Sequence, residues 1–309
     1  MDEFQHQPVL LDEVLEALII RTDGIYLDGT FGRGGHSQKI LECLSRQGCL
    51  IALDKDPEAV AAGVEKLGAD PRFFVTQGNY AEMERIVRDR GLVHDLDGVL
   101  LDLGVSSPQL DNPERGFSFM ADGPLDMRMN PLQGVTAAEW LAEAPERELA
   151  RVFWEFGEER HARRIARSIV MARQHGRLET TGQLAHLIEH TIGRRERNKH
   201  PATRCFQAIR IHINNELADL ATGLRAAVSV LRPGGRLVVI SFHSLEDRLV
   251  KRTMREAARP GQVRRNIPEP PDQHCSLRLI GKAIKPSAAE LSANPRARSA
   301  VMRIAEKIA

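Results

Sequence analysis

The sequence predicts an α/β fold in which a doubly wound parallel sheet is interrupted by an inserted all-helical domain. Short apolar segments typical of buried strands alternate with helical runs early in the chain, at residues 25–27, 49–53, 73–75 and 98–103. Helical periodicity alone then extends over residues 136–215, and strand patterns resume at 236–242, 277–284 and 299–306. We therefore expect a sheet domain at 1–111 and 213–309, with the helical insertion at 112–212.

The first elements lead into a glycine-rich turn. Leu11, Val14, Leu15 and Leu18 have the spacing of an amphipathic helix, and the apolar residues 25–27 that follow predict the first strand. The segment Asp-Gly-Thr-Phe-Gly-Arg-Gly-Gly-His, residues 28–36, comes directly after that strand. Because glycines let the backbone approach a ligand closely, this turn is typical of the entrance to a nucleotide-type site.

The ligand predicted for this turn is a nucleoside rather than a dinucleotide. The dinucleotide fingerprint G-x-G-x-x-G fails here, since Gly32 and Gly34 are followed by Ser37 where the third glycine should stand. The second strand closes on Asp54, whose carboxylate is placed to accept hydrogen bonds from ribose hydroxyls. A pyrophosphate is therefore not required.

A third feature comes late in the chain. A helical run ends near Leu231, the chain turns through Pro233-Gly234-Gly235, and a strand pattern follows as far as Ile240. The glycine turn, the acid at the end of the second strand and this late turn, in that order, resemble the S-adenosylmethionine-dependent methyltransferases. That resemblance implies S-adenosyl-L-methionine as the cofactor and the Rossmann-like sheet of class I methyltransferases as the fold.

Length and composition predict a globular protein of the cytoplasm. The 309 residues, 42% hydrophobic and 28% charged, can bury a sizeable core in one large or two unequal domains. No apolar run approaches the roughly 20 residues needed to cross a bilayer, and the N-terminus lacks a basic stretch followed by an apolar one. The four cysteines are scattered without a C-x-x-C pair, so we expect reduced thiols and no structural metal.

The net charge of +1 conceals a segregation of charge along the chain. Residues 1–100 carry 18 acidic and 10 basic side chains, whereas residues 151–210 carry 6 acidic and 13 basic ones. The last segment, from residue 251 onward, has 5 acidic and 13 basic side chains. A single basic cluster such as Arg163, Arg164 and Arg167 would be explained as a solvated helix face. Two basic regions flanking an acidic one favour a polyanionic partner.

Asp102 is the first catalytic candidate. It ends the fourth strand, where enzymes that methylate exocyclic amines often place an acid or an amide, but the Asp-Pro-Pro-Tyr arrangement is absent and the chain reads Asp-Leu-Gly-Val-Ser-Ser-Pro. Asp102 can accept a hydrogen bond from an amine N–H and make the nitrogen lone pair more available, or it can hold the cofactor. A purely structural aspartate that caps the following turn is the alternative.

His243 is the second catalytic candidate. It follows the strand at 236–242 and can contact the target base or relay a proton, although such a histidine is as often structural. None of the four cysteines ends a strand beside a proline, which disfavours a pyrimidine C5 methyltransferase.

RNA contacts are predicted in the insertion. The segment from Lys199 to Arg210 contains Lys199, Arg204 and Arg210 together with Phe206, a mixture that suits phosphate contacts and stacking on an unpaired base. The alternative is a helix start whose arginines face solvent.

Eight segments taken together resemble the bacterial ribosomal RNA small-subunit methyltransferase H family over essentially the whole chain. They are His6–Leu11, Asp28–His36, Leu101–Leu110, Glu114–Phe119, Gly123–Met129, Lys199–Ile211, Ser241–Arg248 and Asn294–Ser299. The resemblance implies methylation of N4 of a cytosine in the decoding centre of 16S ribosomal RNA, within the small ribosomal subunit. It also implies cofactor contacts at Gly34, Gly35, His36, Asp54, Tyr80, Asp102 and Gln109, with the Tyr80 ring against adenine.

Two other functions stay open on the residues alone. One is a methyltransferase acting on an amine of a protein or small molecule, which would need no broad basic surface. The other is a binding module that retains the cofactor without turnover, against which the intact Asp28, Gly34, Asp54 and Asp102 argue.

Overall fold

The computed structural model describes residues 8–193, 200–259 and 275–308. The chain folds as two compact units, a sheet unit that runs to Gly104 and resumes at Leu217, and a helical unit, Val105–Glu216. The sequence predicted the boundaries at 111/112 and 212/213, which makes the helical unit too short at both ends. The reason is that Val105, Leu110 and Ile213 all pack against the core of the helical unit.

Seven strands form one sheet. They are β1 (Ile25–Asp28), β2 (Cys49–Asp54), β3 (Phe73–Gln77), β4 (Leu96–Asp102), β5 (Leu231–Ser241), β6 (Leu277–Ile284) and β7 (Val301–Lys307). Their order across the sheet is β3-β2-β1-β4-β5-β7-β6. The pairs among the first five strands of this order are parallel, and β7 runs antiparallel to both β5 and β6.

Thirteen helices are present among the described residues. In chain order they are α1 (Leu11–Leu18), α2 (Gly35–Cys43), α3 (Pro57–Leu67), α4 (Met83–Arg88), α5 (Ser107–Asp111), α6 (Ala137–Glu143), α7 (Glu146–Gly157), α8 (Ala162–Ala172), α9 (Thr181–Ile192), α10 (Thr203–Ile213), α11 (Glu216–Val230), α12 (Ser244–Ala258) and α13 (Ala288–Ala293). Short 3₁₀ turns lie at Tyr80–Glu82, Pro113–Arg115 and Pro295–Ser299. None of these helices is long and apolar enough to cross a membrane.

The sheet is covered on both faces. Neighbouring residues of one strand point to opposite sides, so that Leu100 belongs to one hydrophobic cluster and Leu101 to another. The same alternation places Tyr26 and Leu27 of β1 in different clusters. Since all residues from Leu96 to Leu101 are buried, β4 is a central strand of a doubly wound sheet, and the predicted fold class is confirmed.

Three acidic residues end neighbouring strands at one edge of the sheet. Asp28 is the last residue of β1, Asp54 of β2 and Asp102 of β4. β1 lies between β2 and β4 and pairs with both in parallel, so their carboxyl ends lie at the same edge. Doubly wound sheets bind ligands at this edge, where the direction of chain progression reverses, and here the reversal lies between β1 and β4.

The helical unit has its own core. Helices α7, α8, α9 and α10 contribute the fully buried side chains Phe153, Ile165, Ile188 and Ile209. Helices α6 and α9 each begin with a capping box, in which an N-cap threonine and the side chain three residues later satisfy each other's backbone N–H groups. The unit therefore has the separate core and defined helix ends of a compact body.

Candidate cofactor and catalytic site

The turn after β1 requires glycine for steric reasons. Gly34 precedes α2 with φ +73°, and a Cβ atom at this residue would lie 2.5 Å from the Phe31 ring. A Cβ at Gly29 would lie 2.6 Å from Leu101 of β4, and one at Gly35 would lie 2.6 Å from Pro8. The backbone of this turn thus approaches its neighbours more closely than any other residue would allow.

Asp54 holds the glycine turn in place. Its Oδ2 atom accepts a hydrogen bond from the Gly32 N–H at 2.7 Å, and its Oδ1 atom accepts one from the Asp56 N–H at 2.9 Å. Burial raises the pKa of this carboxyl to about 6. Each carboxylate oxygen can accept a second hydrogen bond, so the bonds to Gly32 and Asp56 are compatible with the ribose contact predicted from the sequence.

His36 contacts the carboxylate of Asp102 and is within reach of the charge of Asp28. Its Nε2 atom is 3.5 Å from Asp102 Oδ2, and the side chain is buried. Burial, the largest effect, opposes a charged imidazole, but the contact with Asp102 and the charges of Asp102 and Asp28 together outweigh it and raise the pKa of His36. The buried Asp28 accepts hydrogen bonds from Ser37 Oγ at 2.7 Å and from the Thr30 N–H at 3.1 Å.

The backbone N–H of Asp102 holds the residue in position. One of its two carboxylate oxygens has no hydrogen-bond partner among the described residues. Its N–H donates to Thr30 Oγ1 at 2.7 Å, so the turn after β1 orients the end of β4. Asp102 Oδ1 and His36 Nδ1 are buried and have no hydrogen-bond partner among the described residues. Because buried polar atoms are normally paired, these two fit a polar ligand with its own donors and acceptors at this edge of the sheet.

Tyr80 and Gln109 are the remaining predicted cofactor contacts. Tyr80 begins a 3₁₀ turn after β3, and its ring packs so closely on α11 that a Cβ at Gly223 would lie 2.4 Å from it. Gln109 belongs to the helical unit, where its Oε1 atom accepts a hydrogen bond from the Ser106 N–H at 3.0 Å and completes the capping box of α5. The structure thus brings six of the seven predicted residues to one edge of the sheet unit and gives Gln109 a capping contact within the helical unit.

His243 caps a helix. Its Nδ1 atom accepts a hydrogen bond from the Glu246 N–H at 3.4 Å, and its Nε2 atom lies 3.2 Å from Glu246 Oε1. Glu246 in return accepts the N–H of Phe242 at 2.8 Å and that of His243 at 3.3 Å. Nδ1 therefore serves as the helix cap, whereas the buried Nε2 atom has no hydrogen-bond partner among the described residues, and the catalytic role of His243 stays a prediction.

Comparison with known proteins identifies the family. The MraW methylase family matches residues 3–308. The chain belongs to this family. Membership confirms the resemblance found in the sequence, the methyltransferase class and, with it, the predicted cofactor, S-adenosylmethionine.

Curated relatives match along almost their full length, and each carries the name ribosomal RNA small subunit methyltransferase H. The chain is 57% identical over 306 residues to the relative from Thioalkalivibrio sulfidiphilus, covering 98% of each chain. It is 55% identical to that from Pseudoalteromonas atlantica, covering 98% of each, and 55% identical to that from Nitrosococcus oceani, covering 98% and 96%. Among solved structures, an rRNA methylase from Streptococcus thermophilus gives a TM-score of 0.42 at 11% identity, covering 96% of this chain and 93% of that one.

Two of the three residues predicted to contact RNA, Arg204 and Arg210, belong to the helical unit of this methylase. Lys199 lies outside the described residues. Arg204 on α10 is 40% exposed, and its Nη1 atom lies 4.0 Å from Glu159 Oε2. Arg210 forms a bidentate ion pair with Glu216, with both N–O distances 2.8 Å, so its guanidinium is engaged inside the unit and its RNA contact stays a prediction.

Sequence reasoning missed the residues that hold the site together. Thr30 receives the Asp102 N–H, and Ser37, noted only for interrupting a glycine fingerprint, donates to Asp28. Two hydroxyl side chains within nine residues of a strand-ending aspartate were the available signal. Their partners could not be read from the sequence, because Thr30 and Asp102 are 72 residues apart.

Proposed function

We propose that this chain transfers the methyl group of S-adenosylmethionine to the exocyclic N4 atom of a cytosine in the decoding centre of 16S ribosomal RNA. The names of its full-length relatives support ribosomal RNA of the small subunit as the substrate. The structural observation that carries the chemistry is the Asp102 carboxylate, whose buried Oδ1 atom has no partner among the described residues. This oxygen can accept a hydrogen bond from the amine of a cytosine.

The sheet unit supplies the residues for the cofactor. When bound, S-adenosylmethionine supplies an electrophilic methyl group on a sulfonium centre. The backbone of the turn at Gly34 and Gly35 lets the ligand approach closely, and Asp54 accepts hydrogen bonds from ribose hydroxyls. The Tyr80 ring offers an apolar face for adenine, and the contact between His36 and Asp102 keeps the Asp102 carboxylate oriented.

Asp102 activates the acceptor in this proposal. The lone pair of a cytosine amine is delocalised into the ring, which makes N4 a weak nucleophile. A hydrogen bond from the N4–H to Asp102 Oδ1 makes the lone pair more available and stabilises the positive charge that develops on N4 as the methyl group arrives. The departing proton goes to water or to His243, whose Nδ1 atom caps α12 and whose Nε2 atom has no hydrogen-bond partner among the described residues.

The helical unit holds the RNA in this proposal. A base inside a helical stack is not accessible to a strand-end carboxylate, so the target cytosine has to leave its stack. Arg204, with the neighbouring Lys199, is the proposed phosphate contact of α10. Two forms of the substrate are compared in the test, free 16S RNA and the assembled small subunit.

Nucleoside analysis tests this function. Unmodified 16S RNA, made by transcription, and small subunits reconstituted from it are incubated with the protein and methyl-labelled S-adenosylmethionine, then digested and analysed by mass spectrometry. The expected product is N4-methylcytidine at one site, absent with the Asp102→Ala variant. Label in another nucleoside would reject the N4 assignment, and label in ribosomal protein alone would favour an amine of a protein.

A further inference from the structure

The helical unit exposes a tryptophan. Trp154 of α7 is 61% exposed, whereas the other tryptophan, Trp140, is 8% exposed and packs edge-on against Phe153. An indole is the largest apolar side chain, and leaving it in water costs free energy that the fold of the helical unit does not recover. The exposed ring is available for another flat group to stack on it.

Exposed arginines lie on the same two helices as this tryptophan and in the connection between them. Helices α7 and α8 are joined by a short connection and run antiparallel, with Arg167 Nε 3.7 Å from Glu146 Oε1. Two helical turns along α7 from Glu146 lead to Trp154, and one turn back along α8 from Arg167 leads to Arg163 and Arg164. Trp154 therefore lies towards the connected end of the helix pair, where α8 carries Arg163 and Arg164 and the connection carries Arg160.

The charges of these arginines have no partner in the part of the chain that the structure describes. Arg147, Arg160, Arg163 and Arg164 are exposed, and none of them forms an ion pair or hydrogen bond with another described residue. By contrast, two acidic groups of α7 are already paired, Glu155 with Arg151 at 2.8 Å and Glu146 with Arg167. We call the surface formed by Arg147, Trp154, Arg160, Arg163 and Arg164 the α7–α8 face.

We propose that the α7–α8 face binds an unpaired segment of RNA, with one base stacked on Trp154 and the flanking phosphates contacted by the arginines. Proteins that bind single strands combine an aromatic platform with a cationic track, and this face has both. A protein partner would require more apolar area, and four unpaired guanidinium groups complement a polyanion instead. The inference rests on the proposed function and names where the RNA lies on the helical unit.

Fluorescence of Trp154 tests the stacking directly. In the Trp140→Phe variant Trp154 is the single indole, and a 20-nucleotide unstructured RNA is expected to quench its emission and to protect it from acrylamide. The same RNA annealed to its complement is expected to protect it less, since its bases are stacked on each other. If Trp140→Phe does not fold, the fluorescence of Trp154 is obtained by subtracting the emission of the Trp154→Phe variant from that of the wild type.

Affinity provides the second measurement. Trp154→Ala is expected to weaken binding of the single strand by about 5- to 100-fold, the range for loss of one stacked base, while Trp154→Phe retains most of the affinity. Phe74→Ala, which truncates an exposed aromatic ring of the sheet unit, is the matched control and leaves affinity unchanged. Calorimetric binding of the demethylated cofactor product should be equal in all these variants.

Salt dependence tests the arginines. The Arg163→Gln, Arg164→Gln double variant should lower the slope of log Kd against log salt by about 1.4, the value for two phosphate contacts on a single strand. Arg46→Gln, which neutralises an exposed arginine of the sheet unit without a protein partner among the described residues, should leave the slope unchanged.

The outcomes separate this inference from the proposed function. If the wild type methylates 16S RNA while Trp154→Ala and the double arginine variant bind RNA like the wild type, the α7–α8 face is not an RNA surface and the function stands. If the wild type neither binds nor methylates RNA, both proposals fail. If Trp154→Ala changes the oligomeric state in light scattering at unchanged RNA affinity, the face is a protein interface and the inference is overturned.

Discussion

The Nε2 atom of His36 lies 3.5 Å from Oδ2 of Asp102, which joins the helix after β1 to the end of β4. Asp28 adds a second negative charge to the same imidazole. The contact occupies one oxygen of Asp102 and leaves Oδ1 unpartnered among the described residues.

Replacement of Asp102 should abolish most of the activity. Asp102→Ala removes the acceptor for the N4–H and is expected to lower the rate of methyl transfer by at least about 100-fold, the usual cost of one preorganised hydrogen-bonding group. Asp102→Asn, whose amide oxygen can still accept, should fall between Ala and the wild type. Single-turnover transfer to 16S RNA measures this, and an unchanged rate for Asp102→Ala would remove the residue from the mechanism.

His36 should titrate above the ordinary value for histidine. Burial opposes its charge most strongly, but Asp102 and Asp28 outweigh burial and raise its pKa. A raised pKa means that the ion pair with Asp102 stabilises the folded state fully below pH about 6.5 and that this contribution is lost as the pH rises through the folded value. NMR titration of the imidazole protons should show the raised pKa in the wild type and a lower one in Asp102→Asn. Equal values in the two proteins would contradict the coupling.

Cofactor affinity should depend on pH through Asp54. Burial raises the pKa of Asp54 to about 6, so the carboxylate is ionised above that pH and loses acceptor capacity below it. Affinity for S-adenosylhomocysteine is expected to fall between pH 7 and pH 5, by at most about tenfold per pH unit. The Asp54→Asn variant has no titrating group at this position. Its affinity for S-adenosylhomocysteine, measured by calorimetry at a series of pH values, should therefore show no step near pH 6. The same step in the variant would assign it to another group.

Gly34 and Gly91 offer a matched pair for testing the glycine turn. Both have nearly the same left-handed backbone, φ +73° and +72°, but a Cβ at Gly34 meets the Phe31 ring while one at Gly91 meets nothing within 4 Å. Gly91→Ala should cost about 1 to 2 kcal/mol of unfolding free energy for the backbone alone. Gly34→Ala should cost about 1 to 3 kcal/mol more because of the clash, and should also weaken cofactor binding. Urea denaturation that gives equal losses would show that Phe31 yields without cost.

The ion pair between Arg210 and Glu216 should contribute more to the free energy of unfolding than the ion pair between Arg151 and Glu155. The side chains of Arg210 and Glu216 are 16% and 8% exposed, whereas the Arg151–Glu155 pair has 49% and 47% exposure at the same 2.8 Å distance. Glu216→Gln leaves a largely desolvated guanidinium with a weaker partner and should cost about 2 kcal/mol. Glu155→Gln should cost about 0.3 to 0.5 kcal/mol. If Arg210→Gln instead leaves stability intact and lowers the salt slope of RNA binding, Arg210 contacts phosphate.

The strands show how much of the secondary structure can be predicted from local sequence patterns. Six of the seven strands were located within about two residues. The four parallel strands among them, β1 to β4, are short apolar runs bounded by turn residues. β5 begins at Leu231 and not at the predicted Arg236. Pro233-Gly234-Gly235 has the composition of a turn, but pairing with β4 exists on both sides of it, Leu231 with Leu96 and Arg236 with Gly98, so these residues form an irregularity inside the strand. Local composition cannot reveal that the neighbouring strand continues.

His243 shows the limit for single residues. Its position after a strand suggested proton transfer, which stays a prediction: in the structure Nδ1 accepts the Glu246 N–H at the start of α12, while Nε2 has no hydrogen-bond partner among the described residues. A histidine that caps a helix and one that accepts a proton have the same sequence context, since the difference lies in which atoms its nitrogens face.

The sequence by itself determined the α/β class, the inserted helical unit, the glycine turn and the acids that end β1, β2 and β4, because each depends on neighbours within a few residues. Only the tertiary structure decided that β1 lies between β2 and β4, which brings Thr30 and His36 against Asp102, and that Arg210 is paired with Glu216 while Trp154 is left exposed. Strand order and surface exposure arise from packing among distant segments, and hydrophobic periodicity carries no information about which segments meet.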